Sequence, residues 1–231
     1  MSLNTIKIEN PVYPSKEKSP QICMTKFKTL NDITLGEGFE YLSNKEPLFK
    51  KILEEKNYKI APFSKKEGFE GLIGLIVEQQ LSVASAKAIF GRIKKLVSPF
   101  NANNFLKVDP ERFKEAGLSK QKIDYCTGIA TKIIDKELNL KQLKEKNDIE
   151  AINELIKIRG IGDWTAQCYL MACLKRLDAW PSSDLGLIVA IQRLKNLKER
   201  PDYLTIEKMS EPWSPYRSIA ALILWSTYDK E

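Results

Sequence analysis

Three kinds of residue in this sequence have types and spacings suited to chemistry: a closely spaced glycine pair, a carboxylate beside a helix start, and scattered tryptophans. The glycines lie in Leu155-Ile156-Lys157-Ile158-Arg159-Gly160-Ile161-Gly162-Asp163-Trp164-Thr165-Ala166. Between amphipathic helices, Gly160 and Gly162 predict a tight turn whose second helix starts with unpaired amide groups. Those amides and the helix dipole make a seat for one phosphate. A plain helix–helix turn, with glycine only as a cap, uses the same residues. Further on, Pro181-Ser182-Ser183-Asp184-Leu185-Gly186-Leu187 puts Asp184 in the first turn of another helix. There the dipole favours a negative charge, which can steady a developing cation. Capping is the other role open to an Asp at such a place. Asp178 and Asp163 are its nearby competitors.

The sequence contains no histidine. That excludes Ser-His and Cys-His nucleophile pairs and His-based proton transfer, and it disfavours most zinc enzymes. Catalysis must run on carboxylates, lysines, aromatics or backbone dipoles. Cys23, Cys126, Cys168 and Cys173 form no CxxC pair, so they read as reduced, mostly buried thiols and not as a metal or cluster framework. Lys and Arg outnumber Asp and Glu by 37 to 30, a formal charge of +7. This balance favours nucleic acid or another anionic surface as partner, although a generally lysine-rich composition gives the same excess. No apolar run approaches a membrane span and the start lacks a signal-peptide core, so the expected location is the cytoplasm, with the genome.

The elements that must position these residues are helical. Residues 1–30, broken by Pro11, Pro14 and Pro20, read as a polar arm laid over the domain. From about Glu37 the pattern is helical, with no sustained alternation and no Asn-Gly hairpin turn. Apolar residues Leu72, Leu75, Ile76, Ile89, Ile93 and Leu96 predict two helices between Glu70 and Leu96. They are split at Glu78-Gln79-Gln80-Leu81-Ser82, with Ser82 as the second N-cap. Further helices are expected over Lys120–Asp135, over Ile149–Ile158, from Trp164 to about Leu177, from Asp184 onward, and over Tyr216–Tyr228. Ile149, Ile152, Leu155 and Ile156 are expected on one buried face. The fold class is all-α.

In this order, the hairpin run, Trp164 and Pro-x-x-Asp at a helix start resemble the helix-hairpin-helix DNA glycosylase superfamily. The C-terminal run Trp213-Ser214-Pro215-Tyr216-Arg217-Ser218-Ile219-Ala220, followed by Trp225, resembles the signature of 3-methyladenine DNA glycosylase II. The resemblance covers the chain from about Glu37 to its end. It implies two helical subdomains with an active-site cleft between them and no N-terminal β domain: 31–65 plus 178–231, and 66–177. It makes Asp184 the catalytic residue and places Trp164 and Trp225 on the base pocket. It assigns DNA-backbone contacts to Gly160, Ile161, Gly162 and Thr165, and a monovalent cation, Na+ or K+, to the carbonyls of Ile156, Ile158 and Gly160. Ile76-Val77-Glu78-Gln79-Gln80-Leu81-Ser82 resembles the turn that enters the gap left by a flipped base. Gln80 would be that wedge, or else the turn is polar and touches no DNA. Trp213 reads as core, and Arg217 pairs with either a carboxylate or a phosphate.

Several departures bear on the chemistry. Trp164 stands where lyase members carry their nucleophilic lysine, and neither Lys157 nor Lys175 fits that motif, so no strand-cutting step is expected. Asp163 replaces a basic residue common in relatives. Cys168 and Leu185 stand where some members place pocket tyrosines. The implied activity is a monofunctional, cofactor-independent glycosylase acting as a monomer on double-stranded DNA that contains alkylated purines, away from membranes. A glycosylase for uncharged or mispaired bases and a non-catalytic hairpin DNA-binding module stand as alternatives. A metal-dependent nuclease is disfavoured by the lack of clustered acidic ligands.

Overall fold

The computed structural model of the protein describes residues 27–228. Cys23 and the greater part of the expected polar arm, residues 1–26, lie outside the described residues. Twelve α-helices follow in order: α1 (Asp32–Lys45), α2 (Pro47–Glu55), α3 (Phe69–Glu78), α4 (Val83–Leu96), α5 (Ala102–Leu106) and α6 (Pro110–Glu115). After them come α7 (Lys120–Ile134), α8 (Asp148–Leu155), α9 (Asp163–Ala172), α10 (Leu185–Leu194), α11 (Tyr203–Ser210) and α12 (Arg217–Trp225). Among the described residues the one β feature is an isolated bridge from Thr29 to Arg176.

The helix starts follow side-chain capping. Ser82 Oγ accepts from the Ser85 amide at 3.2 Å and opens α4, as its position predicts. Asn31 and Asn147 open α1 and α8 with reciprocal capping boxes. Helix packing falls into two groups. α1, α2 and α12 contact one another and α10 packs on α12, while α3 packs on α4, α7 and α9, α5 and α6 pack on α7, and α8 packs on α9.

One helix end and one buried face differ from the sequence expectation. α9 stops at Ala172, not near Leu177. Leu174 N–H donates back to Tyr169 O and Arg176 N–H to Leu170 O, while Lys175 takes a left-handed φ of 59°. Apolar residues continue through Leu177 because the irregular segment is itself buried, which the periodicity cannot separate from helix. In α8 the buried face is Ala151, Ile152 and Leu155, whereas Ile149, in the first turn, is exposed.

The segment from Leu177 to Asp184 is clamped from both sides. Trp180 is fully buried, edge-on to Trp213, and its amide donates to Gln167 Oε1 at 3.0 Å. Ser218 donates its amide to Leu177 O and its hydroxyl to Ala179 O, both at 2.9 Å. Trp213 packs edge-on against Phe49 as well and is core, as expected.

At Gly71 an added Cβ would lie 2.0 Å from Lys66 O and 2.7 Å from Cys173 Sγ. Gly71→Ala is therefore expected to cost about 1–3 kcal/mol by overpacking. In contrast Gly128→Ala, in an exposed turn of α7 with nothing within 4 Å, is expected to gain about 0.5–1 kcal/mol. Urea unfolding of both variants measures the two signs.

Candidate active site

Asp184 is the N-cap of α10, one residue ahead of the predicted first turn, and it is half-buried. Its Oδ1 accepts from the Leu187 amide at 2.9 Å and from Trp225 Nε1 at 2.8 Å; its Oδ2 accepts from Trp164 Nε1 at 2.8 Å. The capping role and the candidate catalytic role thus coexist on one carboxylate. Gly186 fits closely beside it: a Cβ there would stand 3.0 Å from Asp184 Oδ1 and 3.3 Å from Trp225 Cδ1, so a larger residue would press on both groups.

Neither competitor shares this environment. Asp178 is engaged by Arg217, with Nε to Oδ1 at 3.0 Å and Nη2 to Oδ2 at 2.9 Å, and by Ser214 Oγ at 2.9 Å. This settles the Arg217 pairing on a carboxylate. Burial works against the guanidinium charge, but the bonds and attraction from Asp178 and then Glu207 outweigh it and raise the Arg217 pKa. Asp163 opens α9 as its first residue.

Sequence reasoning missed a second cluster that adjoins Trp225. Phe63 meets Trp225 edge-on at 5.3 Å, Lys65 Nζ lies 5.3 Å from the Phe63 ring centre, and Lys65 pairs with Glu78. These residues come from the segment before α3 and from the end of α3, so only tertiary packing joins them to Asp184. The departures at Cys168 and Leu185 have different outcomes. Cys168 is fully buried and cannot line a pocket, and Leu185 is exposed. Burial raises the thiols of Cys126 and Cys173 to about 12 and that of Cys168 well above its ordinary value, consistent with inert thiols.

The hairpin lies between α8 and α9. Gly160 has φ 91°, and a Cβ on it would fall 2.3 Å from Tyr125 Cγ, so glycine is needed both for conformation and for space. Gly162 is the N-cap of α9 and supplies no capping side chain, which leaves its first-turn amides to other acceptors. An open groove of about 350 Å³ runs here, lined by Gln79, Gln80, Ser119, Gln121, Lys122, Tyr125, Gly160, Ile161 and Gly162. No carboxylate lines it, as suits an anionic backbone. Gln80 is exposed at the groove with φ 56°, between the ends of α3 and α4.

Two hairpin side chains turn inward. The Thr165 side chain does not face DNA: it is buried, and its hydroxyl accepts from Gln79 Nε2 at 2.9 Å. The Ile161 side chain is likewise buried and its amide donates within the turn, so of these two positions the Thr165 amide is the one left for a DNA contact. Of the carbonyls assigned to a cation, Gly160 O already accepts from Gln79 Nε2 at 2.9 Å and Ile158 O from the Ile161 amide at 3.0 Å. Carbonyl oxygens are the right donor class for Na+ or K+. A carbonyl oxygen carries two lone pairs, so each of these bonds leaves one for a cation.

The fold and site define a helix-hairpin-helix protein whose aromatic cleft holds one carboxylate. The sequence pattern described as "HhH-GPD superfamily base excision DNA repair protein" matches residues 73–215, and the chain belongs to that superfamily. It is 30% identical over 210 residues to the DNA-3-methyladenine glycosylase of Bacillus subtilis, spanning 84% of this chain and 67% of that one. It is 34% identical over 172 residues to DNA-3-methyladenine glycosylase 1 of Schizosaccharomyces pombe, spanning 71% and 73%. The solved structure of a Schizosaccharomyces pombe 3-methyladenine DNA glycosylase in complex with abasic DNA superposes with a TM-score of 0.78 at 29% identity. It covers 84% of this chain and 100% of that one.

Gly160→Ala combines a disfavoured φ with a clash against Tyr125. It is expected to lower stability by about 1–3 kcal/mol and to weaken duplex binding. Thermal melting and fluorescence anisotropy on a short duplex measure the two effects.

Proposed function

We propose that this protein is a DNA base-excision glycosylase that hydrolyses the N-glycosidic bond of alkylated purines of the 3-methyladenine and 7-methylguanine type. The observation that carries this reading is the convergence of the Trp164, Trp225 and Leu187 N–H groups on the Asp184 carboxylate. It is supported by the family and by relatives named as 3-methyladenine glycosylases.

Extruding a nucleotide from the duplex costs on the order of a few kcal/mol, less for a poorly paired lesion. Hairpin amides at Gly160, Gly162 and Thr165 hold the DNA backbone, and Gln80 enters the vacated gap. The extruded base lies against Trp164 and Trp225, and a cationic base gains roughly 1–2 kcal/mol from such ring faces when desolvated. The glycosidic bond breaks with its electron pair leaving on the base, so a positively charged base needs no proton from an acid. The sugar becomes oxocarbenium-like, and Asp184 opposes that charge. Of the carboxylate's roughly four acceptor directions, three are taken by the indoles and the cap. One at Oδ2 remains to orient the water that attacks C1′ and to receive its proton.

Trp164, where lyase members have lysine, supports hydrolysis without strand cleavage. The reading runs no step through a cation and includes no required cofactor. The protein acts as a monomer with the genome in the cytoplasm; no helix among the described residues is long and apolar enough to cross a membrane.

Incubation with heavily methylated DNA is expected to release free 3-methyladenine and 7-methylguanine, resolved by chromatography, without strand breaks until the abasic sites are treated with base. Asp184→Asn keeps a competent N-cap but turns an amide toward one indole donor, and loses the charge. It is expected to abolish base release with duplex affinity retained. Release at the wild-type rate would refute the assignment. Trp225→Phe removes one donor to the carboxylate and is expected to slow single-turnover excision about 10- to 100-fold.

A further inference from the structure

The Gln79 side-chain amide ties the wedge turn to the hairpin. Nε2 donates to Gly160 O and to Thr165 Oγ1, both at 2.9 Å. An NH2 group has two hydrogens, and these two acceptors use both of them. Gly160 O belongs to the turn itself, and Thr165 lies in the first turn of α9, beside Trp164. Gln79 is fixed through its backbone as well. Lys122 Nζ, from α7, donates to Gln79 O at 2.6 Å and to Val77 O at 2.8 Å, completing the C-terminal end of α3. That ammonium is partly buried, and burial lowers its pKa. The next residue, Gln80, adopts φ 56° and projects into solvent. The exposed residue is therefore carried on a neighbour held at three acceptor atoms, two of them across the groove.

We propose that Gln79 is a positioning residue that fixes the distance between the Gln80 wedge and the phosphate-holding amides of the hairpin. This inference rests on the glycosylase reading of the same site. Extrusion requires two contacts on one DNA molecule at a set separation: the gap must be filled while the backbone is gripped. Without the Gln79 amide the two loops lose both of these bonds, and the spacing between them loosens. Neither the catalytic carboxylate nor its indole donors touch Gln79, so the bond-breaking step itself does not depend on it.

Gln79→Glu tests this, because it preserves length and volume but replaces the donor with an acceptor facing Gly160 O. Single-turnover excision of a methylated purine is compared on two substrates: a fully paired duplex, and the same strands with the lesion in an unpaired bubble. On the paired duplex the rate is expected to fall about tenfold or more. On the bubble, where no base pair must be opened and no gap filled, it is expected to change less than about twofold. In a Gln80→Ala background, Gln79→Glu is expected to have little further effect on the duplex, since the element it positions is gone. Gln79→Met, which keeps the length without a charge, is expected to show the same substrate split if Gln79→Glu melts at a lower temperature.

Equal loss on both substrates, or full additivity with Gln80→Ala, overturns the proposal and leaves Gln79 as a polar packing residue. No loss on either substrate overturns it too. Failure of the unmodified protein to release base from either substrate strikes the glycosylase reading instead, which separates the two.

Discussion

One carboxylate that accepts three N–H donors constrains most of the fold around it. The donors arise on three different helices, Trp164 on α9, Leu187 on α10 and Trp225 on α12. A hydrogen bond weakens steeply beyond a few tenths of an ångström, so these three helices must hold one mutual placement. The C-terminal signature residues do this work from outside the site. Arg217 and Ser214 grip Asp178, Ser218 grips the Leu177 and Ala179 carbonyls, and Gln167 receives the Trp180 amide. The loop ending in Asp184 is thereby fastened along its length before it reaches the site.

The same constraint reaches the hairpin. Gly162, the first-turn amides and Trp164 all belong to the opening of α9, so one turn carries both the amides proposed to seat the DNA backbone and a donor to Asp184. Shifting that turn moves grip and chemistry together. Gly160 secures its other side, where only a hydrogen atom fits against Tyr125.

Much of this was legible in the sequence because it is local. Glycines two apart, an Asp ahead of an apolar helix and a Ser after two glutamines report on their own turns, and the structure places each at a helix boundary. Sequence-distant pairings were not legible. Nothing in the spacing of Phe63, Lys65 and Glu78 brings them beside Trp225, and nothing around Arg217 distinguishes Asp178 from a phosphate. The resemblance assigns Thr165 a DNA-backbone contact, and its spacing does not show that its side chain turns inward onto Gln79. Gln79 itself stood in a quoted motif with its exposed neighbour taken as the functional residue. The end of α9 was placed too late for a different reason: the buried loop carries Cys173, Leu174 and Leu177 past the helix end, and apolar positions in a buried loop look like those of a buried helix.

The absence of histidine is coherent with this geometry. An indole presents its N–H along the ring edge and its electron-rich surface on the two faces, at right angles to that edge. With the edges of Trp164 and Trp225 committed to Asp184, their faces remain for another partner. In the proposed reaction a cationic base is drawn to those faces and to the nearby carboxylate. Once the bond breaks, the electron pair neutralises the base and the positive charge passes to the sugar. The attraction that held the base fades just as that holding the sugar rises. A site built in this way discriminates by charge at both stages, and it needs neither a proton donor nor a second carboxylate.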